Sequence, residues 1–117
     1  MSRLNQATAL RAFLNQVAQL PRLSPAQQAA LAAEAADGDP LALRALVQSH
    51  LPWVLAEAAQ RRGFGLRFDR LLACGNQALL RALREDPADT ARAVSLVHAA
   101  LDEALALESV KARSRSV

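Results

Sequence analysis

The chain has 117 residues, 52% of them apolar and only 3% aromatic, and carries a net charge of +3. This length supports one domain with one core, and the scarcity of Gly (4) and Pro (5) argues against a β-sandwich, a collagen-like chain or a low-complexity chain. The single cysteine, Cys74, excludes an intramolecular disulfide framework and a Cys-rich zinc site.

The predicted elements are all helical. The first covers about residues 8–20, where Leu10, Phe13, Leu14 and Val17 share one face and Pro21 ends the run. Ser24-Pro25-Ala26-Gln27 starts a second helix. Ser24 is the cap, Pro25 takes the first helical position and Gln27 completes a capping box. Asp37-Gly38 stops this helix near Ala36, because glycine accepts the left-handed conformation. Asp39-Pro40 starts a third helix with Leu43, Leu46 and Val47 on one face, and Pro52 predicts a break or kink at Ser49-His50-Leu51. A fourth helix is expected over 51–62, with Trp53 as a core anchor beside Val54, Leu55 and Ala58.

Gly63-Phe64-Gly65 reads as a turn, and Asp69 as the cap of a fifth helix whose buried face is Leu71, Leu72, Ala78, Leu79, Ala82 and Leu83. Gly75 inside that helix costs about 1 kcal/mol against alanine, which predicts close approach of another helix. A last helix is expected over 88–107. The domain is therefore placed at 1–109, with a basic disordered tail at 110–117. The expected fold class is all-α: a compact bundle of five or six helices. No secretory leader is expected, and no apolar run approaches the roughly 20 residues that span a bilayer. The lone cysteine suits a reducing, cytoplasmic location.

The blocks along this chain keep a fixed order. They are Leu23-Ser24-Pro25, Gly38-Asp39-Pro40, Leu46-Val47, His50-Leu51-Pro52-Trp53-Val54 and Arg62-Gly63-Phe64-Gly65. Then come Phe68 to Asn76, Leu80-Arg81-Ala82-Leu83 and Asp86-Pro87. In this order and ungapped spacing the chain resembles the bacterial sigma factor family of the sigma-70 class, from region 1.2 into region 2. The resemblance covers Leu10 to Pro87, and extends weakly to about Leu105. It implies a helical module that docks on the clamp helices of core RNA polymerase. By position it places the polymerase-binding surface on or beside Asp69, Arg70, Leu72, Ala73, Cys74, Asn76 and Gln77.

The departures carry meaning of their own. The family's Gln-Glu before Gly-Asn is Ala73-Cys74 here. Its aromatic segment with a Trp pair, which melts the −10 promoter element, falls on His98-Ala99-Ala100-Leu101-Asp102-Glu103-Ala104-Leu105. Base stacking on a ring is worth about 1–3 kcal/mol per base, and alanine supplies no ring. The resemblance therefore implies polymerase binding without promoter melting.

Arg61, Arg62, Arg67, Arg81 and Arg84 are the candidates for DNA contact, by phosphate neutralisation. The competing reading makes them solvated helix ends and surface residues, with Arg81 and Arg84 paired to Glu85 or Asp86. His50 and His98 have no ligand-spaced cysteine or carboxylate nearby, so no metal, no cofactor and no catalytic residue is expected. The expected partners are core RNA polymerase first, then an anti-sigma-type protein captured by mimicry, then promoter DNA, with no membrane.

Overall fold

The computed structural model describes residues 2–20, 22–61 and 67–116. It forms five helices: α1 Ser2–Ala18, α2 Pro25–Ala36, α3 Pro40–Gln60, α4 Phe68–Glu85 and α5 Thr90–Ser116. Among the described residues there is no strand, and no helix is long and apolar enough to cross a membrane. The fold is the expected all-α bundle, with five helices.

The local signals explain the helix starts. Ser24 Oγ accepts from Gln27 N at 3.1 Å, and Gln27 Oε1 accepts from Ser24 N at 2.8 Å, which closes the capping box of α2. Gly38 ends it with φ +97°, in the left-handed region where glycine pays no steric penalty. Asp39 Oδ1 then accepts from Leu41 N at 2.9 Å to start α3.

Four expectations are corrected. Of the break or kink expected at Ser49-His50-Leu51, the break does not occur, because α3 runs through Pro52 to Gln60 and merges the expected third and fourth helices. Pro52 removes one backbone N–H, and side chains add bonds in the turn before it. Ser49 Oγ donates to the Leu46 carbonyl at 2.6 Å, and His50 Nδ1 lies 2.8 Å from the same oxygen. Asp69 is not the cap of α4. Arg67 occupies that position, and Asp69 sits in the first turn, where the helix dipole favours a carboxylate. α1 begins earlier, at Ser2, and ends at Ala18. α5 begins at Thr90 and continues through Ser116, so the tail expected to be disordered is helical up to there. Ala104, Ala106 and Ala112 favour helix, and basic residues suit a helix C-terminus. Pro21, residues 62–66 with the turn expected at Gly63-Phe64-Gly65, Val117 and the side chain of Leu10 lie outside the described residues.

The core sits where α4 packs against α3 on one side and α5 on the other. Val54, Leu71, Leu79, Leu83, Val97 and Leu101 are its fully buried side chains, with Ala58, Ala82 and Ala93 closing the gaps between them. The small residues set the helix spacing. A Cβ on Gly75 would stand 2.9 Å from Val54 Cγ1 and 3.5 Å from Leu101 Cδ2. Gly75 is therefore the point of close approach that its position inside a helix predicts. Of the predicted face of α4, Leu71, Leu72, Leu79, Ala82 and Leu83 are buried, and Ala78 is half-buried.

Candidate docking face

The most sharply amphipathic of the five helices is α4. Its inner face supplies the core, so its outer face is fixed by what is left. Positions 70, 73, 77, 81 and 84 recur in steps of three and four and so line one stripe. All five residues there, Arg70, Ala73, Gln77, Arg81 and Arg84, are exposed.

The candidate polymerase-binding residues divide on this helix. Asp69, Arg70, Ala73 and Gln77 are exposed. Cys74 and Asn76 are half-buried, and Leu72 belongs to the core. Leu72 is thus removed from the candidate face, because the 3.6-residue period turns it inward beside Leu71. Asn76 Oδ1 is buried and has no hydrogen-bond partner among the described residues. Cys74 helps line a shallow groove of about 310 Å³ between α4 and α5, with Ala78, Ala100, Ala104 and Leu107 forming its apolar walls.

The arginines proposed for DNA do not form one patch. Arg61, at the end of α3, is held by acids. Its Nε donates to Asp102 Oδ1 at 3.0 Å, and one terminal nitrogen donates to Glu57 Oε2 at 3.1 Å and to the Glu57 carbonyl at 2.9 Å. Only 16% of the Arg61 side chain is exposed. Burial works to lower its pKa, but the hydrogen bonds and charges of Asp102 and Glu57 prevail and hold it above the ordinary value. A guanidinium so occupied has few donors left for a phosphate. Arg61 is a structural residue, and its place in the DNA set is corrected on that ground.

Arg67 makes a two-point bond to Asp69, at 3.1 and 2.6 Å. This contact raises the Arg67 pKa and holds the Asp69 carboxyl below its usual value. Arg81 approaches Glu85 only loosely, at 3.8 Å, while Glu85 also pairs with Arg92. Arg70 and Arg84 have no acidic side chain in ion-pair range among the described residues. Arg62 lies outside the described residues.

A cluster on α3 and α5 escaped the sequence reading. His98 Nε2 lies 3.0 Å from Glu57 Oε2, although the contact lacks the geometry of a hydrogen bond. The His98 ring also stacks at a tilt on Trp53, with centroids 5.4 Å apart. Trp53 is half-buried against the core, in keeping with its expected anchoring role. The Glu57–Arg61 spacing of four was a legible signal for part of this cluster. The partners on α5 were not, because they lie some 40 residues further along the chain.

The outer face of α4 therefore offers cationic and small polar groups on a rigid helix, backed by a close-packed core. No protein-family model matches the chain, and no curated protein matches it.

Proposed function

We propose that this chain is a sigma-factor-like transcription protein of the bacterial cytoplasm that binds core RNA polymerase through the exposed stripe of α4. It modulates initiation and does not melt promoter DNA itself. The observation that carries the reading is the division of α4. Leu71, Leu79 and Leu83 are sealed inside, while Arg70, Ala73 and Gln77 stand outward at the positions where the sigma resemblance puts the polymerase-binding surface. Among the described residues Arg70 has no acidic side chain in ion-pair range, so its charge is open to an acidic face on a partner. The alanines at 99 and 100 supply no ring for a flipped base, which supports binding without melting.

The test is binding of the full chain to purified core RNA polymerase. Saturable binding is expected, and Arg70→Glu with Gln77→Ala should weaken it at least about tenfold while the helical circular dichroism stays the same. No binding at low salt, or binding indifferent to this double change, overturns the reading.

A further inference from the structure

Helix α5 carries two apolar stripes. The inner one, Ala93, Val97 and Leu101, is buried in the core. The outer one is Leu96, Ala100, Glu103, Leu107 and Val110. Its steps of four, three, four and three are the repeat by which one helix lays a seam along another. Ala100 is half-buried, and the other four residues are exposed. Leu107 and Val110 each keep 57% of their surface open. Single exposed apolar residues are ordinary on a protein surface, but a row of them in helical register is a contact surface.

This seam borders the groove between α4 and α5. Arg81 lines the α4 wall of that groove, and Glu103 lines the α5 wall. The two are not paired with each other. Arg81 reaches only Glu85, loosely at 3.8 Å, and Glu103 has no ion pair among the described residues. An apolar strip with one free base on one side and one free acid on the other is complementary to its own image under a two-fold rotation.

The register fits that rotation. Two antiparallel copies of α5 set Leu96 of one against Leu107 of the other, and Ala100 of one against Glu103 of the other. Alanine is small enough to leave room for the carboxylate, and Ala100 and Arg81 line the same groove. Each Glu103 is thereby delivered to the Arg81 of its partner.

We infer that the occupant of this face is a second copy of the chain, docked antiparallel through the outer seam of α5 as a two-fold dimer. Its two equivalent ion pairs join Arg81 of each copy to Glu103 of the other. The assignment stands apart from the polymerase reading, because its test reads the mass of the chain alone.

The test is sedimentation equilibrium of the full chain as its concentration is raised to about 1 mM. The mass should climb from 12.5 kDa toward twice that value. Leu107→Glu should hold the chain monomeric, with its helical circular dichroism unchanged. Arg81→Glu and Glu103→Arg should each weaken the dimer at least about tenfold, and the double reversal should bring it back to within about threefold of the parent. All three positions are exposed, so none of these changes disturbs the core. A chain that stays monomeric at about 1 mM overturns the assignment and leaves the seam to a different protein. A trimer or larger assembly, a dimer indifferent to Leu107→Glu, or charge reversals that do not rescue each other also overturn it.

Discussion

Two groups of arginines in this molecule share a chemistry and differ in availability. At the junction of α3 and α5, Arg61 is three-quarters or more buried and gives its donors to Glu57 and Asp102. On the outer stripe of α4, Arg70 and Arg84 stand exposed with no acidic neighbour in range among the described residues. The first group closes a helix junction, and the second is open to a partner. The lesson is that an arginine's role is set by the acids the fold brings to it. A count of basic residues, here 14 against 11 acidic ones, does not distinguish the two groups.

The most severe way to break the contrast is to force apart the helices that create it. Gly75→Leu puts a side chain where even a Cβ would stand 2.9 Å from Val54 Cγ1. Val54 is fully buried, and a β-branched side chain in a helix has one favoured rotamer, so it cannot swing away. We expect a loss of about 3 kcal/mol or more in urea unfolding. A loss below about 1 kcal/mol would mean that α4 does not approach α3 this closely.

A smaller effect separates the two arginine groups directly. Arg61→Ala leaves the Glu57 carboxylate, itself only 16% exposed, without its main partner. It should cost about 1–2 kcal/mol of stability. Arg84→Ala removes an exposed side chain with no ion pair among the described residues and should stay within about 0.5 kcal/mol of the parent. Equal losses from the two changes would erase the distinction drawn between the α3–α5 junction and the α4 stripe.

The smallest effect lies at the start of α4. The hydrogen bond from Arg67, together with its charge, outweighs burial and holds the Asp69 carboxyl below its ordinary value of 3.8. A depressed carboxyl contributes stability that is full above its unfolded pKa and is lost as pH falls through the folded one, so the contribution fades as pH drops from about 3.8 through the lower folded value. Both side chains are more than half exposed, so solvent keeps the contribution small. Arg67→Ala should move the Asp69 midpoint up toward the ordinary value, read by carboxyl NMR titration. An unmoved midpoint would show that the pair does not persist in solution.

Much of the fold is legible along the chain. The Ser24–Gln27 box, the Gly38 stop and the Asp39-Pro40 start are local devices, and each operates within four residues. The buried face of α4 follows from periodicity, and the glycine within it signals a neighbour. The continuity of α3 was not legible. Proline favours a break on local grounds, but side-chain bonds to the Leu46 carbonyl and packing of Leu46, Val54 and Ala58 in one core hold the helix together. At the candidate face the sequence located the helix and the register. Periodicity placed Leu72 on the buried face while the motif placed it on the docking surface, and the fold decides for periodicity, since a motif carries over positions and not their exposure.

What the sequence by itself determined is the helical class, both ends of α2, the start of α3, and the inward register of Leu71, Leu79 and Leu83 on α4. These depend on interactions a few residues long and on the 3.6-residue period. Only the tertiary structure decided that Arg61 is spent on Asp102, that His98 lies against Trp53 and Glu57, and that Arg81 and Glu103 line one groove. Those outcomes depend on groups brought together from distant helices. Their distances are set by how closely the small residues of the core allow those helices to pack.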